Sequence, residues 1–431
     1  KHLHNPEPQS VREGRRFLYD ARYTSSNGEA SCASCHVFGD FDSLAWDLGN
    51  PDAGTSPMPG PVAENFPPFF PLFIDFRSLK GPMTTQSLRG MANHGPMHWR
   101  GDRTKGDEVP SAQPNSGSFD EVGAFEEFQE AFAGLLGRTG PLTANEMTKF
   151  ADFSLQIMYP PNPIRNLDNT LTAFQEGGRQ HFFQPGVDLH HSCEDCHKLD
   201  PDANAEFGEP IPGFFGTDGR YVTGEIPQTV KVPHLRNLYQ KVGMFGMPQV
   251  FSIIPGDNGQ KGDQVRGFGM LNDGAEDTVF RFMMTFGFDK LSGFPPNGFD
   301  DSPGADGEVK RRQVEAYMMA FDSNLAPIVG QQVTLHQANT AAANTRIDLL
   351  LQRADVGECD VIAKVRIFGQ EYGFLYTGAG QFRTSYNAEE TIGRAVLTLV
   401  AQAPNHAVTF TAVPPGTGER IGLGEDHGCE D

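Results

Sequence analysis

The chain has 431 residues, enough for about three domains. Its 34 basic and 55 acidic residues give a formal net charge of −21, which argues against nucleic acid or an anionic membrane as a partner, because either needs a basic patch. Mean hydropathy is negative, and no apolar run approaches the ~20 residues of a membrane helix, so the sequence predicts a soluble protein without a membrane span.

In chain order, the first predicted helix is the patch EGRRFLY (13–19), which precedes the motif CASCH (32–36). Two stretches with one apolar face follow, at 124–137 and 145–158, and both predict amphipathic helices. The next stretch, PPNPIRNLDN (160–169), cannot continue a helix and is interpreted as a linker.

The second half begins in the same way. A helical patch, EGGRQHFF (176–183), precedes a second motif, CEDCH (193–197). Helices are predicted over 273–286 and 308–321, and Asp273 is a good N-cap for the first of them.

The two C-x-x-C-H motifs are the strongest chemical signal in the sequence. A c-type haem needs two thiols for its thioether bonds and an imidazole on the iron, and this motif supplies all three on one turn. A zinc site usually takes paired C-x-x-C motifs close in sequence, and a thioredoxin-like dithiol would not need the histidine twice. Two covalently bound haems c are therefore assigned, one to Cys32, Cys35 and His36 and the other to Cys193, Cys196 and His197.

Each half also contains a Leu-Arg motif downstream of its cysteines. These are QSLRGMANHGPM (86–97) and PHLRNLYQKVGM (233–244). Duplication of a unit with one haem explains the repeated order of helix, C-x-x-C-H, long loop and Leu-Arg. The sequence thus predicts a mainly α protein with two cytochrome c-like haem domains, at 1–165 and 166–325, followed by an accessory domain at 326–431.

The accessory domain is predicted to be small and β-rich. It contains four short β-rich runs broken by Gly, Pro and Asn: QQVTLHQ, CDVIAKVRIFG, YGFLYTGAGQF and HAVTFTAVPPG. The two cysteines outside the haem motifs, Cys359 and Cys429, are expected to form a disulfide. Haem thioethers together with a disulfide indicate a periplasmic or extracellular protein, and a start at Lys1 is compatible with a removed signal peptide.

The sixth ligand of each iron decides the function, because an open iron can react with peroxide or oxygen and a closed one only passes electrons. In the first copy the candidates are His94 and His98, and we take His98, which stands beside Trp99. Either histidine is equally compatible with a hydrogen-bonded position in the pocket.

In the second copy the candidate ligands are methionines: Met244, Met270, Met283 and Met284. We take Met283, which follows an Asp-Gly turn on a Phe-rich stretch. Histidine–methionine ligation raises the haem potential, as an electron-receiving site requires. A methionine that only fills the core is the alternative.

Two arginines and two tryptophans are the remaining candidate functional residues. Arg89 and Arg236, in the Leu-Arg motifs, suit pairing with haem propionates, and structural salt bridges are the alternative. Trp46 is expected to be buried structure, whereas Trp99 is placed to act as a relay between the haems.

Together these motifs resemble the bacterial dihaem cytochrome c peroxidase family, which includes the MauG-like enzymes, over roughly residues 10–322. The resemblance also uses HWRGDR (98–103) and NDGAED (272–277). It implies that the N-terminal haem reacts with peroxide and that the C-terminal haem accepts electrons. It further implies Trp99 between the haems, a methionine near Met283 on the second iron, and a calcium ion between the two domains.

The sequence departs from the family at specific positions. His98 stands where the family has an aromatic residue, Asn272 replaces a histidine, and the C-terminal domain is additional. The family has an acidic residue in the peroxide pocket, for which Glu121, Glu126 and Glu127 are all near, and we take Glu127 as the candidate.

These features predict a secreted dihaem oxidoreductase of peroxidase type, in which the second haem passes electrons to a peroxide-reducing first haem. The alternative is a non-enzymatic dihaem electron-transfer protein, or a subunit of a multi-haem extracellular assembly. A small redox protein is the expected electron donor or acceptor. A homo-oligomer or a larger cytochrome assembly is compatible with the sequence.

Overall fold

A computed structural model describes residues 7–56, 76–103, 120–198, 216–217, 221–223, 229–243, 266–290, 297–387 and 390–424. The chain divides into two compact units. The first, which we call the haem-motif unit, comprises Pro8–Tyr159 and Leu171–Phe321 and contains both C-x-x-C-H motifs. The second, the C-terminal unit, comprises Lys1–Glu7, Pro160–Thr170 and Asp322–Asp431.

The segment predicted as a linker belongs to the C-terminal unit. Arg165 forms an ion pair with Asp322 at 3.0 Å, and the Asn169 amide donates to the Glu358 carboxylate at 2.8 Å. Both haem motifs lie in the other unit, and the predicted division into three domains stays a prediction.

The haem-motif unit combines helices with short two-stranded ladders. Its helices are α1 (Gln9–Tyr19), α2 (Ala21–Thr24), α3 (Glu121–Glu126), α4 (Glu130–Gly134), α5 (Ala144–Ser154), α6 (Ala173–Phe182), α7 (Val279–Phe282) and α8 (Gly307–Met319). Its strand pairs are β1 (Ala45–Trp46) with β2 (Met83–Thr84), β3 (His197–Lys198) with β4 (Gly216–Thr217), β5 (Tyr221–Thr223) with β6 (Thr229–Lys231), and β7 (Val242–Gly243) with β8 (Arg266–Gly267). The first three pairs are antiparallel and the fourth is parallel.

Two helix crossings organise this unit, and each is made at a glycine. A Cβ atom on Gly14 of α1 would lie 2.2 Å from the Lys149 carbonyl oxygen of α5. A Cβ atom on Gly178 of α6 would lie 1.9 Å from the Gln313 carbonyl oxygen of α8. A glycine inside a helix lowers the stability of the helix by about 0.5–1 kcal/mol relative to alanine. The close backbone packing at Gly14 and Gly178 explains why both helices nevertheless have a glycine there.

Four of the predicted helices in this unit are confirmed by α1, α5, α6 and α8, and the stretch 124–137 forms shorter pieces. The N-cap Thr143 and Glu146 form a reciprocal capping box at the start of α5. The 124–137 stretch divides into α3, a 3-10 turn at Glu127–Gln129, and α4.

The helix predicted over 273–286 is wrong in most of its length. Only the four residues of α7 are helical, and their N-cap is Thr278, whose hydroxyl accepts from the Arg281 N–H at 3.1 Å. Asp273 instead accepts from the Ala275 N–H at 3.0 Å, an Asx turn that competes with helix formation.

The C-terminal unit contains a six-stranded antiparallel sheet and two helices. The strands are β9 (Gln332–Leu335), β10 (Asp360–Ile367), β11 (Gln370–Gly378), β12 (Gln381–Thr384), β13 (Thr391–Gly393) and β14 (Val408–Val413), in the order β13-β12-β11-β10-β14-β9. The helices are α9 (Thr340–Asp355) and α10 (Arg394–Gln402). Alternate residues of β10, namely Val361, Ala363 and Val365, enter the same core as Ile347 and Leu350 of α9.

The structure is therefore mixed helix and strand rather than mainly α, and its C-terminal part combines the predicted β-structure with two helices. The four strand-rich runs were predicted from the sequence, whereas α9 and α10 were not. The predicted Cys359–Cys429 disulfide is not seen: Cys359 is a buried free thiol, and Cys429 lies outside the described residues. Among the helices that the structure describes, none is long and apolar enough to cross a bilayer.

We expect Gly14→Ala to lower the free energy of unfolding by roughly 1–3 kcal/mol, because the new methyl group overlaps the α5 backbone. Gly134→Ala is the matched control, since its Cβ would meet nothing within 4 Å, and it should be neutral or stabilising by up to about 1 kcal/mol. Urea denaturation measures both. Equal changes in the free energy of unfolding for the two substitutions would contradict the close packing of α1 against α5.

Candidate functional site: two C-x-x-C-H turns and the junction between them

The first motif forms one tight turn. The N–H of His36 donates to the Cys32 carbonyl at 2.9 Å, and that of Cys35 donates to the same oxygen at 3.2 Å. The His36 ring bonds through Nδ1 to the Gln86 carbonyl at 2.8 Å. Because a carbonyl only accepts, Nδ1 carries the proton and Nε2 keeps its lone pair for a metal. Burial lowers the pKa of His36, which keeps the ring neutral.

The second motif repeats this arrangement. The N–H of His197 donates to the Cys193 carbonyl at 2.9 Å, and that of Cys196 does so at 3.4 Å. The His197 ring donates through Nδ1 to the Pro233 carbonyl at 2.8 Å. Burial lowers the pKa of His197 to about 4, so this imidazole is neutral at pH 7 as well.

The carbonyls that hold the two histidines occupy the same place in their Leu-Arg motifs. Gln86 is followed four positions later by Gly90 with φ +64°, and Pro233 is followed four positions later by Asn237 with φ +66°. A left-handed residue at the same offset turns both loops in the same way. The two Leu-Arg motifs are therefore similar in backbone geometry as well as in sequence.

The donor atoms in both motifs fit haem c better than its rivals. Burial raises the pKa of Cys32 to about 12 and also raises that of Cys193, unlike in a reactive redox dithiol. In the described part of the chain, no group of three or more His, Cys, Asp or Glu is arranged to hold a metal ion, calcium and zinc included. Two thiols and one oriented imidazole are the set that haem attachment needs.

Trp99 joins the two copies. It is buried, and its indole N–H donates to the Thr84 carbonyl at 2.7 Å. Its own carbonyl accepts from the Lys231 N–H at 3.0 Å. Thr84 lies two residues before Gln86, and Lys231 lies two residues before Pro233, so Trp99 contacts the chain leading to each histidine-binding carbonyl.

Trp46 differs from its expected position. Its side chain is 40% exposed, and the indole N–H donates to the Asp42 carboxylate at 2.9 Å. The prediction that Trp46 is buried structure is therefore wrong.

His98, the predicted ligand of the first iron, is half-buried on a left-handed backbone with φ +72°. Its Nδ1 lies 2.7 Å from the Asp102 carboxylate, and its ring meets Phe128 edge-on at 6.3 Å. Burial alone would raise the pKa of Asp102, but its interactions with His98 and Arg103 outweigh burial and lower it. An imidazole held through Nδ1 presents Nε2 to a ligand position, and the iron ligation by His98 stays a prediction.

His94, the alternative ligand, is buried at the junction of the two copies. Its ring centroid lies 5.1 Å from that of His234, next to Pro233. Its carbonyl accepts from the Thr217 N–H at 3.2 Å, and its Nδ1 has no hydrogen-bond partner among the described residues. Burial, reinforced by the charge of Lys231, lowers the pKa of His94 to about 3.

Met283, the predicted ligand of the second iron, is 3% exposed and caps the C-terminal end of α7. Its carbonyl accepts from Arg311 Nε at 2.8 Å. Met270 is also buried and Met284 is half-buried, whereas Met244 lies outside the described residues. The choice of Met283 stays a prediction.

The two arginines of the Leu-Arg motifs have different surroundings. Arg89 forms an ion pair with Asp40 at 3.0 Å and donates to the Phe38 carbonyl at 3.3 Å, so it fastens the loop that follows the first motif. Arg236 is 4% exposed and directly follows the His234–Leu235 step. A propionate role for either arginine stays a prediction.

The three candidate glutamates differ in their hydrogen-bond contacts. Glu127 is half-buried on a 3-10 turn, and Glu126 accepts from the Thr148 hydroxyl at 2.7 Å. Glu121 accepts from the Asn93 N–H at 2.5 Å, which ties it to the loop bearing the two candidate histidines, and burial raises its pKa. Sequence spacing did not distinguish Glu121, because this contact joins residues 28 positions apart.

Comparison with known proteins gives distant similarities. No protein-family profile matches the chain. The chain is 26% identical over 224 residues to hydrazine synthase subunit gamma of Kuenenia stuttgartiensis, a segment covering 51% of this chain and 52% of that protein. The matched segment thus spans about half the length of that relative.

Three solved structures are similar at low TM-scores. Hydrazine synthase of Kuenenia stuttgartiensis has a TM-score of 0.39 and 17% identity, covering 74% of this chain and 90% of that chain. A MauG-like protein associated with microbial copper homeostasis has a TM-score of 0.35 and 13% identity, covering 73% and 88%. The dihaem peroxidase BthA of Burkholderia thailandensis has a TM-score of 0.29 and 16% identity, covering 73% and 86%.

The buried His94 predicts a pH dependence of stability. Its pKa is about 3 in the folded chain and 6.5 ordinarily, so between these values the unfolded chain binds a proton that the folded chain does not. The free energy of unfolding should therefore decrease as pH falls from 6.5 towards 3, by up to about 1.4 kcal/mol per pH unit from this group.

His94→Gln should make that decrease shallower, and His406→Gln, in the loop between α10 and β14 of the C-terminal unit, should leave it unchanged. Urea denaturation between pH 4 and pH 7 measures the slopes. A wild-type slope in His94→Gln would show that His94 is not the buried neutral group described.

Proposed function

We propose that the chain is a dihaem c-type cytochrome oxidoreductase, with one haem at Cys32 and Cys35 and the other at Cys193 and Cys196. The observation that carries the proposal is the pair of C-x-x-C-H turns whose histidines donate through Nδ1 to carbonyls at equivalent positions. When bound, the haems supply a reversible one-electron change at iron and, at an open coordination position, a site for peroxide.

In this proposal His36 and His197 bind the irons through Nε2. The Nδ1–H bonds to Gln86 and Pro233 fix the orientation of each ring and increase its basicity as a ligand. In both Leu-Arg motifs a left-handed residue lies four positions after the carbonyl that binds the histidine, and in both halves two helices cross at a glycine. These similarities support an origin by duplication. On that basis the chain consists of haem domains at 1–165 and 166–325 and an accessory domain at 326–431.

Trp99 is proposed to mediate electron transfer from the His197 haem to the His36 haem. Its support is the pair of hydrogen bonds to Thr84 and Lys231, which place one buried indole against both copies. A hydrogen-bonded, water-excluded aromatic ring can lie on a short path between two redox groups.

Peroxide reduction at the His36 haem is the proposed reaction, with a glutamate supplying the proton. Glu127 remains the candidate from the resemblance. Glu121 is added because it accepts from the Asn93 N–H in the loop before His94 and because burial raises its pKa.

Electron transfer without catalysis is the second candidate function, and one observation favours it. The bond of His98 Nδ1 to Asp102 is the arrangement found behind metal-bound imidazoles, so His98 Nε2 would close the first haem. Met283 would close the second. The similar protein of Kuenenia stuttgartiensis is named as a subunit, which supports a place in a larger assembly for this chain too.

The proposal extends to location and partners. Thioether attachment of haem suits a periplasmic or extracellular protein, although the support from a disulfide is withdrawn. A small redox protein would exchange electrons with the chain, and the net charge of −21 suits a basic partner. A calcium ion between the haem domains is expected from the resemblance alone.

Haem attachment is tested by replacing the thiols pairwise. Cys32→Ala with Cys35→Ala, and separately Cys193→Ala with Cys196→Ala, should each reduce covalent haem from two per chain to one. Acid–acetone extraction followed by a pyridine haemochrome spectrum counts the haem that remains. Cys359→Ala is the control and should keep both haems. Two covalent haems in either double variant would refute the assignment.

The reaction class is tested with ligands. Carbon monoxide added to the reduced protein, and peroxide added to the half-reduced protein, should shift the Soret band of one haem if the first iron is open. The double variant that retains only the first haem should give the same shift. No shift with either ligand would exclude peroxidase chemistry and leave the electron-transfer function, and His98→Gly should then open the first haem.

A further inference from the structure

The junction between the two copies contains buried positive charge. The side chain of Lys231 is 1% exposed, and its ammonium donates to the Pro96 carbonyl in the loop that carries His94 and His98. Lys241, immediately before β7, is half-buried, and after burial its charge contributes to lowering the pKa of Lys231. Such burial is unusual for lysine unless it is paired with an acid.

The two acidic side chains that interact electrostatically with these lysines form ion pairs with other residues. Asp102, which interacts electrostatically with Lys231, is held by His98 at 2.7 Å and by Arg103 at 3.4 Å. Asp40, which interacts with Lys241, is held by Arg89 at 3.0 Å. Within the part of the chain that the structure describes, neither lysine has a carboxylate within ion-pair distance.

The remaining neighbours cannot balance the charge. His94 and His234 lie against each other at 5.1 Å, and burial followed by nearby positive charges lowers the pKa of both rings. Burial also lowers the pKa of Lys231 to about 7. Among the described residues, the ammonium groups at this buried place therefore have no carboxylate partner, which favours a bound anionic group there.

We propose that Lys231 and Lys241 bind haem propionate carboxylates at this junction and thereby raise the reduction potential of the haem that carries them. The inference rests on the haem attachment proposed above. Each haem has two propionates, and Lys231 lies two residues before Pro233, whose carbonyl orients the iron-binding imidazole of His197. A cation beside a propionate favours the reduced haem, because reduction adds one negative charge.

Lys231 differs from Arg89 of the first Leu-Arg motif as a candidate partner for a haem propionate. Arg89 already has Asp40 as a partner, whereas Lys231 offers an ammonium with a carbonyl as its visible partner. An ammonium has three donors, so Lys231 can keep Pro96 and still bind a carboxylate oxygen.

The test removes one charge at a time in the haem-loaded protein. In Lys231→Met and in Lys241→Met, spectroelectrochemical titration should show the one-electron reduction equilibrium constant of at least one haem lowered about tenfold, equivalent to about 59 mV. Lys364→Met is the matched control. This exposed lysine of the C-terminal unit pairs with Glu371 at 2.9 Å, and its removal should leave both potentials unchanged.

The outcomes separate this inference from the proposed function. Pyridine haemochrome spectra first establish that each variant carries two haems. A wild type without haem would end both proposals, whereas two attached haems with unchanged potentials in both lysine variants would overturn this inference alone. If Lys231→Met fails to fold, Lys241→Met decides by the same criterion.

A free small anion is the other source of a carboxylate. If the lysines bind one, the wild-type potentials should change with acetate concentration at constant ionic strength, and that result would also overturn the propionate assignment. Potentials that do not depend on acetate, together with the shifts in the two variants, would support it.

Discussion

The arrangement of the haem-motif unit depends on one interaction made twice: the Nδ1–H of a histidine donates to a carbonyl in a downstream loop. His36 reaches Gln86 and His197 reaches Pro233, each at 2.8 Å. These bonds select the tautomer that leaves Nε2 available, and they attach each C-x-x-C-H turn to its Leu-Arg motif. The rest of the unit supports this attachment, since the left-handed residues at positions 90 and 237 turn the loops that present the carbonyls.

The junction between the copies is where the two attachments meet. Trp99 bonds to the segments leading into both carbonyls, and His94 packs on the residue next to one of them. Burial makes this region electrostatically unusual, because neutral histidines and a buried ammonium lie together and no described carboxylate pairs with the ammonium. The proposed electron transfer through Trp99 and the proposed binding of carboxylates by Lys231 therefore involve the same small region of the protein.

Local sequence signals predicted best those features that depend on neighbours along the chain. The turns at the cysteines and helix α8 follow from the spacing of their residues, and helix α5 follows from its spacing and its capping box. The helix predicted from Asp273 failed, because that side chain closes an Asx turn and Thr278 starts a helix of only four residues. The missed helix α9 has an apolar face that becomes recognisable only against the sheet it packs on.

The sequence by itself determined that the chain has two C-x-x-C-H motifs in a repeated order, and the proposed haem attachment follows from this fixed local spacing of cysteine and histidine. Only the tertiary structure decided which partners surround them. It joined the two copies in one compact unit, paired Arg89 with Asp40, and buried Lys231 beside Trp99. These contacts join residues far apart in the chain, and their strength depends on burial, which no local pattern of residues encodes.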